Sequence, residues 1–190
     1  MSTPKKLLVI DVEATCWKDK PPNTIEASRR KNEIIEIGIT PIDLTQTDNW
    51  GHIRPVIEKS VSIIVLPTTT EISEFCTELT TLTPEYVKEH GVPFWTAIAR
   101  LRTEFRPDIN MWASYGDYDR QAFERQCRNE GVEYPFNNNH INVKALFAFR
   151  FGGHAGTGHA CKKLQLPFEG TQHRGIDDSR MIAKILLALT

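Results

Sequence analysis

From Lys6 to Glu13 the chain alternates on two faces at once: Leu7, Val9, Asp11 and Glu13 share one face of a strand, and Leu8, Ile10 and Val12 share the other. Apolar residues on both faces predict a central strand. A second buried run, Ile34 to Ile39, is closed by Pro41, and Val61, Ile63 and Val65 alternate before Pro67. The three runs predict an antiparallel meander. Between the first two, Trp17 to Asn32, with Pro21-Pro22 and the basic triplet Arg29-Arg30-Lys31, reads as a loop.

Helical periodicity follows. Thr83-Pro84-Glu85 sets a capping hydroxyl before a proline at the first helical position, and Gly91 stops that turn. Pro93 to Arg106 carries Phe94, Ala97, Ile98 and Leu101 on one stripe. Met111 to Ser114 and Ile141 to Val143 predict short strands. Asp117 to Gly131, Val143 to Phe151, Gly158 to Leu166 and Ile176 to Leu189 predict helices. Strands first, then alternating helix and strand, imply an α/β fold: a mixed sheet flanked by helices.

Composition narrows the class. The chain has 190 residues, 40% hydrophobic and 25% charged, which suits one globular domain over residues 1–190. No apolar run approaches the ~20 residues of a membrane span, and no signal-peptide core is present, so an intracellular, cytoplasmic setting is expected. Cys16, Cys76, Cys127 and Cys161 form no CxxC pair able to hold zinc and are expected to be reduced.

The informative residues are carboxylates standing where the periodicity calls for apolar side chains. Asp11 and Glu13 continue the face of Leu7 and Val9, roughly 6.5 to 7 Å apart at ~3.3 Å per residue. In the last helix, Ile182, Ile185, Leu186 and Leu189 define a stripe that includes Asp178 and excludes Asp177. Likewise Asp119 falls beside Phe123 and Cys127, while Asp117 points away and is free to cap the helix. Four inward carboxylates from three separate elements repel one another unless cations offset them. Oxygen-only donors point to magnesium, with manganese able to substitute, rather than zinc. His173, on a glycine-flanked loop five positions before Asp178, suits a general base acting on water.

Asp11-Val12-Glu13-Ala14-Thr15-Cys16, Tyr118-Asp119 at a helix start, and His173-Arg174-Gly175-Ile176-Asp177-Asp178 together resemble the DEDDh family of 3′→5′ exonucleases. Within it the chain looks most like the histone-mRNA 3′ exonuclease subgroup, whose pattern is echoed by Ile34-Ile35-Glu36-Ile37-Gly38 and by Ser73 to Thr80. The resemblance implies a ribonuclease H-like fold and two divalent ions held by Asp11, Glu13, Asp119 and Asp178. It makes His173 the general base and nucleoside 5′-monophosphates the product of trimming single-stranded RNA, or DNA, from the 3′ end. It further implies that the backbone at Ala14 and Thr15, with the Glu13 carboxylate, meets the terminal 3′ hydroxyl, and that Phe75 wedges against the last bases. Two departures from the subgroup stand out, Thr81 where a glycine is usual and Thr157 where an apolar residue is usual.

Two other classes compete. Asp11-Val12-Glu13-Ala14-Thr15 nearly matches the DxDxT loop of haloacid-dehalogenase-type phosphatases, but that chemistry needs a late acidic pair ending a strand and gives Asp119 and His173 no role. A catalytically silent nuclease fold used only for binding usually loses a ligand, and none is missing here. The Gly-rich His154 to Gly158 lacks the Lys-Ser or Lys-Thr of a P-loop and reads as a loop leading into a helix.

Net charge, finally, is −1, from 23 Lys plus Arg against 24 Asp plus Glu. Two divalent ions would turn it positive, and no acid lies between Glu133 and Glu169, where Lys144, Arg150, Lys162 and Lys163 form a phosphate track.

Overall fold

The computed structural model describes residues 5–18, 32–153 and 155–190. Most of the expected 17–32 loop, its basic triplet included, and His154 lie outside the described residues. The strands are β1 (Lys6–Ala14), β2 (Ile34–Asp43), β3 (Val56–Ile57), β4 (Val61–Ile64), β5 (Met111–Ser114) and β6 (His140–Asn142). The helices are α1 (Glu74–Thr80), α2 (Pro84–His90), α3 (Phe94–Phe105), α4 (Tyr118–Glu130), α5 (Val143–Phe151), α6 (Thr157–Lys163) and α7 (Gly175–Leu189).

All six strands form one mixed sheet in the order β3-β2-β1-β5-β6, with β4 sharing the outer edge of β2 with β3. β1 runs antiparallel to β2 and parallel to β5, and β5 parallel to β6, so β1 is central. The expected meander is there as β1-β2-β4.

The two faces of β1 enter different cores. Leu8, Ile10 and Val12 pack with Phe94, Ile98 and Leu101 of α3, Phe123 of α4, and Trp112. Leu7 and Val9 pack with Phe147 of α5, Cys161 of α6, and Met181, Ile182 and Ile185 of α7. Burying rows of this size on both faces is what fixes the strand's register, because a one-residue slip would exchange them. Asp11 and Glu13 therefore continue the row that faces α7.

A pair of glycines sets how closely α7 approaches. Gly38 lies opposite Asp11 in the β1–β2 ladder, and a Cβ on it would fall 1.9 Å from the Gly175 carbonyl carbon. A Cβ on Gly175 would in turn lie 3.0 Å from the Asp11 carbonyl oxygen. Only backbone fits between strand and helix at this point.

Three expectations need correction. α1 has no counterpart in the predicted helices; Ser73 caps it, its hydroxyl accepting from Cys76 N–H at 3.0 Å. α6 ends at Lys163 rather than Leu166, because Gln165 takes a left-handed conformation, φ 56°, that a helix cannot propagate through. Asp117 flanks α4 without a side-chain cap bond; its carboxylate is drawn instead to Arg120, at 3.3 Å.

Candidate active site

The inward carboxylates meet at the end of β1. One oxygen each from Asp11, Glu13 and Asp178 lies within 4.8 Å of the others, the spacing of a shared cation site. They line a cavity of about 440 Å³ whose walls also include Asp119, His173, Tyr115, Tyr118, Gln172 and the Gly156-Thr157-Gly158 turn that opens α6.

Each acid is held from a different direction. Asp178 sits in the first turn of α7, where its carboxylate accepts from the Arg174 N–H at 3.2 Å. Asp119 is buried in the first turn of α4, and its Oδ1 accepts from the Val12 N–H at 2.9 Å. That bond ties α4 to β1 between Asp11 and Glu13, and leaves Asp119 at the cavity wall beside the three convergent oxygens. Asp177, as its phase predicted, turns away; it accepts from Thr171 N–H at 2.9 Å and pairs with Arg180 at 3.1 Å.

The four acids favour their neutral forms. Burial, then the charges of Asp119, Glu13 and Asp178, push Asp11 well above the usual carboxylate range. Glu13 is raised to about 8 by burial and by Asp178, Glu36 and Asp119, against a smaller opposing pull from Arg174. Burial raises Asp119 to about 7 although the Val12 N–H favours its charged form. Asp178 rises to about 6, again through burial, with the His173 backbone and side chain holding it down. Four carboxylates all displaced toward the protonated form, and offering only oxygen, are a donor set suited to hard divalent cations.

His173 takes a left-handed backbone, φ 60°, immediately before α7 and lines the cavity. Behind it stands an ion pair that the periodicity did not reveal. Glu36, fully buried on β2 and opposite Glu13 in the ladder, accepts from Arg174 Nε at 3.1 Å, from the Gly175 N–H at 3.0 Å and from the Ser62 hydroxyl at 2.6 Å. It caps α7 from a neighbouring strand and fixes the residues between His173 and Asp178. Arg174 also reaches the Thr81 hydroxyl at 3.4 Å, and Thr81 has φ 63°, the left-handed geometry that accounts for glycine being usual there.

The expected substrate contacts fare differently. Ala14 is buried at the end of β1 beyond Glu13. Thr15 is fully buried and does not line the cavity: its N–H donates to the Glu33 carbonyl at 2.9 Å, and its hydroxyl accepts from the Glu33 N–H at 3.0 Å. Those bonds tie the end of β1 to the residue that precedes β2. Phe75 is half-buried on α1, where Cys76 rather than Phe75 enters the core; it too is absent from the cavity wall. Tyr115, Tyr118, Gln172 and Thr157 line the wall and had no role from the sequence reading. Asp177 and Asp178 open a helix rather than end a strand, which removes the phosphatase arrangement.

The exonuclease family model RNase_T matches residues 8–186. The human 3′-5′ exoribonuclease 1 is 26% identical over 96% of this chain and 52% of its own length. The first relatives found are matched over 27% to 67% of their lengths, so the chain spans only part of most of them. A 3′-exonuclease solved in recognition of the histone mRNA stem-loop superposes with a TM-score of 0.78 at 23% identity, covering 97% of this chain and 81% of that one. Pop2p of S. pombe, solved with Mg2+ and Mn2+ bound, superposes with a TM-score of 0.64 at 14% identity, over 94% and 80%. The mixed sheet with flanking helices is thus the ribonuclease H-like exonuclease fold.

Proposed function

The chain belongs to the exonuclease family, and on that premise we propose that it hydrolyses single-stranded RNA, in preference to DNA, from the 3′ end and releases nucleoside 5′-monophosphates. The observation that carries this reading is the convergence of Asp11, Glu13 and Asp178 oxygens within 4.8 Å, on a cavity shared with Asp119 and His173. The relatives' description as exoribonucleases supports RNA over DNA.

Asp11, Glu13 and Asp178 would hold magnesium, or manganese in its place, and Asp119 would serve a second ion through the oxygen that the Val12 N–H leaves free. When bound, two such ions supply a water of lowered pKa and positive charge beside the departing 3′ oxygen. His173 accepts the proton of the attacking water; its left-handed turn presents the ring to the cavity while the Glu36–Arg174 pair keeps the flanking backbone still. Water oxygen bonds to phosphorus as the phosphorus–O3′ bond breaks, and the upstream strand keeps the new 3′ hydroxyl. The Glu13 carboxylate and the end of β1 at Ala14 orient the terminal ribose. Tyr118, half-exposed at the rim, offers a face for the last base.

A 3′-labelled single strand incubated with Mg2+ tests the reading. Labelled mononucleotide should appear first, and should vanish with Asp11→Ala or a blocked 3′ hydroxyl. Equal cleavage by Asp11→Ala, or internal fragments from blocked strands, would overturn it. Matched RNA and DNA oligomers assayed side by side test the preference for RNA.

A further inference from the structure

Resting on the exonuclease reading, we propose that the outer end of α5 and the last turn of α6 form a second contact for single-stranded RNA, gripping the strand upstream of the nucleotide being removed. Phe149 is 92% exposed, an unusual position for a large apolar ring that no packing explains. Two positions further along α5, about 200° around its axis, Phe151 packs tilted against Phe147 and is flanked by two cations, with Lys163 Nζ 5.7 Å and Arg150 Cζ 6.0 Å from its ring centre. Arg150 is steadied by donating to the Leu189 carbonyl at 2.8 Å.

Lys144, Arg150, Lys162 and Lys163 form no ion pair among the described residues, and unlike the equally unpaired Lys59, Lys88 and Arg128, two of them, Arg150 and Lys163, flank one aromatic ring. The segment that bears them holds no acid between Glu133 and Glu169. Rings with unsatisfied positive charge beside them match a strand that offers a stacking face and a phosphate at each residue. An apolar protein surface would match Phe149 but would bury the neighbouring cations without partners.

Both helices lead there from the catalytic cavity. Lys144, in the first turn of α5, brings its Cδ within 3.8 Å of where a Cβ on Gly116 would stand, next to Tyr115 in the cavity wall. α6 begins at the cavity with Thr157 and ends at Lys163. From Lys144 to Phe151, α5 climbs about 10 Å, the reach of about three stacked nucleotides at ~3.4 Å each. A trinucleotide would occupy the cavity alone, and a longer strand would meet both places.

The test compares Phe149→Ser and Lys163→Gln with the parent, both changes falling on exposed side chains. Binding of a fluorescent oligouridylate 12-mer is followed by anisotropy with Ca2+ in place of Mg2+. Phe149→Ser should raise Kd about tenfold, and Lys163→Gln should lower the slope of log Kd against log salt by ~0.7. Cleavage of a trinucleotide in Mg2+ should be unchanged in both. Undiminished 12-mer binding by Phe149→Ser, the result expected if the ring seats another protein, overturns the proposal, as does an equal loss on the trinucleotide. If the parent binds the 12-mer through this face yet cleaves neither strand, the exonuclease reading of the cavity fails while the RNA contact stands.

Discussion

Asp178→Asn should make the metal-free protein more stable while removing its activity. In the folded chain Asp178 is held at about 6 against an ordinary 3.8, because it is buried, with a smaller push from the charge of Asp177. A carboxylate raised in this way costs nothing below the unfolded value, where both states are protonated. The cost grows as pH rises from 3.8 to about 6 and is complete above that. At ~1.4 kcal/mol per pH unit the full displacement amounts to ~3 kcal/mol, and relaxation and solvent screening reduce this to ~1.5 to 3 kcal/mol. Asparagine keeps the shape, its Oδ1 can still accept the Arg174 N–H, and it carries no charge. Urea unfolding followed by tryptophan fluorescence in EDTA should therefore show a gain of ~1.5 to 3 kcal/mol at pH 8 and none at pH 3.5. Excess Mg2+ should reverse the order, because only the parent gains the binding free energy, ~2.7 kcal/mol at a hundred times Kd. Loss of stability in EDTA at pH 8, or the same gain at both pH values, would refute the account of a strained acidic cluster. Asp177→Asn is the matched control: it should lose ~1 kcal/mol with its Thr171 and Arg180 contacts and keep most of the nuclease rate.

Other perturbations read other parts of the fold. Glu33 is lowered to about 2 because the N–H and hydroxyl groups of Thr68, Thr69 and Thr70 all donate to its buried carboxylate, a stabilisation that outweighs the burial opposing it. Glu33→Gln should cost ~2 to 3 kcal/mol at pH 7. That difference should fade as pH drops from 4.5 toward 2, and a pH-independent deficit would disprove the mechanism. Thr81→Gly should raise the midpoint of thermal unfolding, by ~1 kcal/mol in stability, since a β-branched residue gives up a left-handed backbone. Gly38→Ala should destabilise by ~3 kcal/mol or more and weaken Mg2+ binding in calorimetry; unaltered affinity would show that α7 is free to retreat without disturbing the site.

What was legible in the sequence is what periodicity can carry. Asp11 and Glu13 announced themselves by continuing the row of Leu7 and Val9, and Asp178 by sharing a stripe with Ile182 and Ile185; each is decided by neighbours within a few residues. Glu36 stood out only as part of a motif on a strand; its pairing with Arg174, 138 positions away, was not visible in the periodicity. The bonds of Thr15 to Glu33, 18 positions away, were equally beyond the reach of local periodicity. The short α1 lacked a stripe, burying only Cys76 and Thr80, so no helical period rose above the background.

The contact of Gly38 with Gly175 has a consequence for how the site assembles. Because two bare backbones touch there, the closest approach of α7 to β2 is set by atoms that every sequence shares, with the Glu36 carboxylate holding the helix end beside it. Tolerance is therefore unevenly distributed: other parts of α7 can exchange one apolar residue for another of like volume, while a side chain at Gly38 would meet the α7 backbone and one at Gly175 would have to push its neighbours aside by a few tenths of an ångström. The same packing brings the carboxylates of β1 and α7 together, and on the proposed reading a bound divalent cation would offset the repulsion between them. Two missing side chains thus set the distance between the acidic residues of the strand and those of the helix.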